Sequence, residues 1–384
     1  MALACQEEDL ALLKQLSDDP EHRPALDGVA LALRVAHERE AGREFGRFDG
    51  KLGDAEAIRK IAADFGPDRP AFSPSQLETL AACPFRFFLR YVLRLEPPDE
   101  LEEFRDDRAA AGSLAHRVLE ELHLQLGGAM EDAGESPADL VETILSRIIQ
   151  AELDTQGPDA SPVEEGLRRI EAGRLERVGK RYAKQFREYL TKLGASECHH
   201  VEVAFGEGKP GGGLPPLVLG EEPETVQLQG KIDRIDLIRL PDRTLFRVID
   251  YKTGHAPAKS DVVAGLALQL PLYALAVERL ALAGRGARPL DVGYWALGKK
   301  GYRAVVAMAN ADGEGLDSWE AFRPAMEAFV LELVGNLRRA AFPVAPREDD
   351  CRQRCDYPCV CRIAQVQAAR KVWESLPTLK LPPS

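Results

Sequence analysis

The sequence predicts a mixed α/β fold, a core sheet flanked by helices, and three observations carry that expectation. Strand-like runs are confined to two stretches, from HVEVAF at 200–205 to TLFRVIDYKT at 244–253, and from DVGYWALG at 291–298 to YRAVVAMA at 302–309. Long helical patterns lie on both sides of them, at 101–126, 137–193 and 319–340. No internal repeat or low-complexity tract interrupts the chain. Its 384 residues are 45% hydrophobic and 29% charged, which excludes wholesale disorder and collagen-like repeats. A formal charge of -12 excludes a protein that coats nucleic acid non-specifically but leaves room for a local basic groove. No run reaches the roughly 18 apolar residues of a membrane helix. Acids stand where a signal peptide would carry a basic start, so the expected location is cytoplasmic with no membrane partner.

The elements follow in order. LALLKQL and VALALRVAHEREA repeat apolar positions at three and four, predicting two helices before a Gly-rich FGRFDGKLG. Ser73-Pro74 reads as an N-cap with proline at the first helical position, so a helix is expected over about 74–81. Cys83-Pro84 interrupts it, and a second helix over 85–93 follows. VQLQGKIDRIDLIRL at 226–240 alternates in part, as one face of a sheet does. VVAGLALQLPLYALAVERLA reads as helix, WEAFRPAMEAFVLELVGNLRRA as a clear amphipathic helix, and 362–374 as a final polar one.

The sharpest chemistry lies in GKIDRID (230–236) and IDYKTG (249–254). Asp250 and Lys252 are two apart at a strand end, and the two-residue period puts their side chains on one face. If the strand carrying Asp233 is a neighbour, two carboxylates and an amine converge. Hard cations want oxygen ligands, so Mg²⁺ or Mn²⁺ would fit there and activate water beside a phosphate. The ammonium would orient the water or neutralise developing charge. Solvated surface charge on a hairpin is the bland alternative. In GSLAHRVLEELHLQL, Gly112 and His116 share one helix face, making His116 a third ligand with Glu120 in reserve; a lone helix histidine is otherwise a cap or core partner. Gln269 and Tyr273, four apart, either face the site or serve the core.

The seven cysteines are uneven: Cys5, Cys83 and Cys198 are isolated, while Cys351, Cys355, Cys359 and Cys361 crowd the tail. An odd count argues against a disulfide framework. Cys83, Cys351, Cys355 and Cys361 would make a four-thiolate set for zinc or an iron–sulfur cluster, a staple between the two ends of the domain; reduced thiols in an apolar cluster are the alternative. Arg86, Arg90 and Arg94 interleave with Phe85, Phe87, Phe88 and Tyr91, either as a phosphate-binding stripe with stacking aromatics or as core aromatics with paired arginines.

Taken in order, GSLAH, GKIDRID, VIDYKTG and QLPLY resemble the motifs of the RecB-type PD-(D/E)XK nucleases. One cysteine before the core and three after it resemble the iron–sulfur variety of that family, and SPSQLETLAACPFRFF resembles the nuclease domain of AddB-type helicase–nuclease subunits. The resemblance implies a PD-(D/E)XK, restriction-endonuclease-like core sheet with a helical insertion and a cysteine-ligated cluster joining its two ends. It implies a metal site of His116, Asp233, Asp250 and the Tyr251 carbonyl, catalysis assisted by Lys252, a DNA channel lined by Gln269 and Tyr273, and a structural [4Fe-4S] cluster on Cys83, Cys351, Cys355 and Cys361. The tail departs from the usual pattern: one residue more separates Cys351 from Cys355, and Cys359 is extra. The implied activity is exonucleolytic hydrolysis of single-stranded DNA in double-strand-break repair and recombination, with a helicase partner. The alternatives are a standalone nuclease of the CRISPR-adaptation type and a non-catalytic DNA-binding scaffold. No GxxxxGK[ST] loop supports ATP hydrolysis. The expected organisation is a helical leader or remnant of a larger N-terminal region over 1–66, then a nuclease domain over 67–384. Within it, 67–194 is helical, 195–335 the catalytic core and 336–365 the cluster-binding tail. The chain is expected to be either standalone or a C-terminal piece of a larger subunit.

Overall fold

The computed structural model describes residues 14–68, 71–96, 108–132, 137–154, 162–193, 197–206, 213–241, 243–298, 300–307, 317–348 and 351–361, with isolated positions beyond. Helices in chain order are α1 (Arg23–Ala41), α2 (Ala55–Asp64), α3 (Pro74–Ala82), α4 (Pro84–Phe87), α5 (Arg108–Asp132), α6 (Pro137–Asp154), α7 (Pro162–Leu193), α8 (Lys259–Val263), α9 (Gln269–Ala276), α10 (Asp317–Arg338), α11 (Cys351–Arg354) and α12 (Pro358–Cys361). Strands are β1 (Glu197–Phe205), β2 (Leu217–Leu219), β3 (Val226–Leu228), β4 (Gly230–Arg239), β5 (Thr244–Lys252), β6 (Arg288–Ala296) and β7 (Gly301–Ala307). None of the described helices is long and apolar enough to cross a membrane. The described chain divides into two compact units.

The larger unit holds residues 66–81 and 98–334. Its five-stranded sheet runs β1-β4-β5-β6-β7, antiparallel except for the parallel β5–β6 pair. That parallel pair needs a crossover, which α8 and α9 supply. The single long strand expected over 226–240 is two: β3 pairs with β2, and β4 enters the main sheet. The helix expected over 262–281 also breaks. Gly265 has φ +69, α9 starts only at Gln269, and a π-helical turn follows over Val277–Ala281.

The alternation in β4 does not mark a wet face. Six consecutive residues, Ile232–Leu237, are buried. The helical insertion covers that side: Leu119 and Leu122 of α5, Leu145 and Ile149 of α6, and Tyr182, Phe186 and Tyr189 of α7 form one core with Ile249, Tyr251 and Trp295. Polar side chains of β4 under this cover must therefore find partners. Arg234, fully buried, forks onto Asp236 at 2.5 and 2.6 Å and reaches His123 at 2.9 Å and the Tyr182 hydroxyl at 3.0 Å. Tyr189 donates to the same Asp236 at 2.7 Å.

The smaller unit gathers residues 1–65, 82–97 and 335–376. Phe45, Val344 and Ile363 form its core, and the Phe88 ring lies 4.8 Å from that of Phe342. The FDGKLG segment requires its glycine: Gly50 has φ +98, and a Cβ there would sit 1.7 Å from the Phe342 carbonyl oxygen. Helix α1 forms as its periodicity predicts, yet none of its residues is buried. The arginine stripe is broken. Arg86 lies 3.8 Å from Asp356, a π-helical turn occupies Phe88–Val92, and Arg94 stands beyond it at φ +53. The polar helix expected over 362–374 lies outside the described residues.

The structure overturns the cysteine-ligated cluster and, with it, the [4Fe-4S] cofactor. Among the described residues, the group of metal-ligating side chains within ligand distance is His116, Glu202 and Asp233, with no cysteine in it. Cys83, Cys351, Cys355 and Cys361 form no disulfide and line one small cavity. Burial pushes the Cys83 thiol up to about 12. Cys351 and Cys361 pack against the Phe45–Val344–Ile363 cluster instead. Spacing reports which cysteines can meet; it does not report that they meet as packing side chains. Cys5 and the side chains of Cys198 and Cys359 lie outside the described residues.

Candidate active site

Sheet register builds the site. Arg234 pairs with Ile249 in the antiparallel β4–β5 ladder, so Asp233 comes opposite Asp250. Asp250 and Lys252 share a face, and Lys252 Nζ lies 2.7 Å from Asp250 Oδ2. Asp233 is tied to the neighbouring strand: its Oδ2 accepts the Tyr251 backbone N–H at 2.8 Å. From α5, His116 Nε2 donates to the Tyr251 carbonyl at 3.0 Å, and its Nδ1 lies 3.4 Å from Asp233 Oδ2. Gly112 is not sterically required on that helix, since a Cβ there would make an ordinary 3.5 Å contact with Thr253 Oγ1. His116, Asp233, Asp250, Lys252 and the Tyr251 carbonyl are thus one cluster.

Glu202 joins them unforeseen. The β1–β4 register pairs Val201 with Arg234 and Val203 with Ile232, which sets Glu202 across from Asp233. Its φ is +52, a strained conformation for a non-glycine residue, and its side chain is held by Lys231 Nζ at 2.5 Å. Ligand atoms of His116, Glu202 and Asp233 lie within 4.8 Å of one another. Glu120, the reserve ligand, is not in this group; its charge bears on Lys231.

Helix α9 closes the other side. Gln269 Nε2 donates to Asp250 Oδ1 at 2.7 Å, and its Oε1 faces Lys252 Nζ at 3.4 Å. One turn on, the buried Tyr273 ring packs edge-on to Phe205 at 5.9 Å. A Cβ on Gly230 would sit 2.7 Å from the Tyr273 ring, so the glycine of GKID makes room for this aromatic. A second residue missed in the sequence sets the start of α9. Glu78 Oε1, on α3, accepts the backbone N–H groups of Leu268 and Gln269 at 2.8 and 3.0 Å. It caps the helix that delivers Gln269.

Charge is crowded here. Burial, then the charge of Asp250, pushes the Asp233 carboxyl well above the usual range, and burial raises Asp250 as well. Burial also raises Glu78 and lifts the Tyr273 hydroxyl to about 12. Asp250 Oδ2, beside Lys252 but without hydrogen-bond geometry to it, is a buried oxygen lacking a hydrogen-bond partner. Carboxylates held apart from water at this density, with one imidazole and one carbonyl, form a donor set suited to a hard divalent cation.

Known proteins share this chain's pattern. The profile of the PD-(D/E)XK nuclease superfamily matches residues 71–362. The chain is 32% identical over 320 residues to an ATP-dependent helicase/deoxyribonuclease subunit of Moorella thermoacetica, covering 76% of this chain and 27% of that protein. The protein of the same name from Ruminiclostridium cellulolyticum is 31% identical, covering 65% and 23%. That from Desulforudis audaxviator is 36% identical, covering 59% and 19%. The chain therefore spans roughly a fifth to a quarter of the length of these relatives.

Proposed function

Because the chain belongs to the PD-(D/E)XK nuclease superfamily, we propose that it is a Mg²⁺- or Mn²⁺-dependent exonuclease that hydrolyses phosphodiester bonds in single-stranded DNA. Its setting is double-strand-break repair and recombination in the cytoplasm, beside a helicase partner of the kind that the names of the relatives suggest. The observation that carries the reading is the meeting of His116, Asp233, Asp250 and Lys252 where α5 crosses β4 and the end of β5.

His116, Glu202 and Asp233 would hold the cation, with Asp250 and the Tyr251 carbonyl beside them. When bound, it supplies Lewis acidity to the scissile phosphate and to water. Lys252 orients the attacking water and offsets charge gathering on the phosphoryl oxygens. Gln269 locks Asp250 from one side and faces the lysine from the other, so both groups are positioned before substrate arrives. Tyr273 stays protonated and borders the strand's path as a hydrogen-bonding aromatic.

Digestion of end-labelled single-stranded DNA with Mg²⁺ tests this. Asp250→Ala is expected to abolish product, and Lys252→Ala to slow it by about 10²–10³-fold, with folding retained. Equal rates in wild type and both variants would sink the assignment. Labels at the 5′ and 3′ ends also give the polarity.

A further inference from the structure

One charged cavity lies outside the catalytic cluster yet shares its walls. Helix α7 carries Arg174, Arg177 and Arg181 at spacings of three and four, so the three guanidinium groups occupy one face. All three are exposed, and all line a cavity of about 230 Å³. Its opposite wall is built from Leu114, Ala115, Thr253 and Leu297–Gly298. Ala115 directly precedes His116, and Thr253 directly follows Lys252, so two walls stand one residue from the catalytic cluster. Consecutive Cα atoms are about 3.8 Å apart, so the cavity borders the end of β5 and the stretch of α5 that carry the cluster; Thr253 Oγ1 faces α5 there, whereas Lys252 Nζ faces Gln269 of α9.

Among the described residues, the charge of this cavity is not spent on ion pairs. Arg181 donates to the Leu297 carbonyl at 3.5 Å, a contact that anchors it to the wall. Among the described residues, Arg174 and Arg177 have no carboxylate within ion-pair distance. Glu171 also lines the cavity, leaving three positive groups against one negative in a chain whose formal charge is -12. Exposed guanidinium groups, unpaired among the described residues and close to a phosphodiester-cleaving centre, present forked donors that match phosphate geometry.

Resting on the nuclease reading, we propose that Arg174 and Arg177 form a phosphate-binding subsite. It grips the backbone of the DNA strand on one side of the scissile bond and holds the strand in register for Lys252. Thr253 and Gly298 shape its floor, and Arg181 fixes that floor to α7.

The test uses the full chain with a labelled oligothymidylate. In EDTA, where cleavage does not run, anisotropy gives the Kd between about 50 and 200 mM salt. Arg174→Gln/Arg177→Gln is expected to weaken binding by about tenfold and to flatten the log Kd–log salt slope by about 1.4, two phosphates at about 0.7 each. Arg174→Lys/Arg177→Lys, which keeps both charges, should keep most of that slope. In Mg²⁺, the Gln pair should raise KM on the oligomer with little change in kcat, while a dinucleotide too short to reach the cavity is cleaved as by wild type. An unchanged slope, or equal losses on dinucleotide and oligomer, would overturn the subsite. Absence of cleavage by wild type, with the slope difference intact, would instead overturn the nuclease reading and leave the subsite standing.

Discussion

Glu78 shows how a single carboxylate that touches none of the catalytic side chains by hydrogen bond can govern them. One oxygen accepts both backbone N–H groups at the start of α9. Glu78→Ala leaves those donors unpaired, costs about 0.5–2 kcal/mol in stability, and lets Gln269 drift from Asp250. A displacement of that kind should lower kcat by roughly 10- to 100-fold. Glu78→Gln keeps an acceptor oxygen and should restore most of the rate; steady-state kinetics of the two variants beside their melting curves check this, and a kcat unmoved in Glu78→Ala would remove the positioning role. The sequence could not reveal Glu78, because its partners are backbone groups 190 and 191 residues away. It could not reveal Glu202 either, whose aim depends on the β1–β4 register and on a backbone torsion of +52°. Asp250 and Lys252 were legible because a two-residue period is enough to put them side by side.

At the scale of the element, β4 and β5 form a rigid rail buried on both faces, and the rail carries charge inside it. Arg234 and Asp236 are fully buried and bound to each other, with His123, Tyr182 and Tyr189 completing the set. Arg234→Leu would strand Asp236 in the core and is expected to destabilise the fold by about 3–5 kcal/mol. Arg234→Leu/Asp236→Leu should recover much of that loss; urea titrations of the single and double variants measure the difference, and equal losses in both would contradict it. In sequence, GKIDRID showed its acids but not their fates. Asp233 ends at the reacting centre, while Asp236, three residues on, faces the other side of the sheet, beneath the cover that α7 lays with Tyr189. The tail cysteines were misjudged for a related reason: spacing carries no information on whether a thiol meets an ion or the Phe45–Val344–Ile363 cluster.

For the whole molecule, the helical insertion and the sheet are held as one unit by this buried network, and acid should attack it first at histidine. Burial and the adjacent Arg234 hold His123 well below its ordinary value of 6.5, so it is neutral when folded. Below pH 6.5 the unfolded chain takes up a proton that the folded chain refuses, and stability therefore falls as pH falls, by up to about 1.4 kcal/mol per pH unit. Above pH 6.5 the contribution is complete. His123→Gln should remove this contribution between pH 7 and 5.5 in urea unfolding, leaving the smaller fall from His200, which is also lowered, and the opposite rise from Asp233, whose carboxyl burial and Asp250 raise to about 8. A pH dependence identical to that of the wild type would exclude His123 as a source. The fold class, the strands that carry the acids and the helix that carries His116 could all be read from periodicity. The break at Gly265 and the double-sided burial of β4 could not, since both depend on what packs above them. The parallel β5–β6 pair has one more consequence. The strand bearing Asp250 is flanked on one side by β6, which the ribosome makes only after the crossover that holds Gln269. A nascent chain that has already exposed His116, Glu202, Asp233 and Asp250 still lacks the neighbour that finishes the sheet around them. The sheet around the cluster therefore stays incomplete during translation until β6 has emerged.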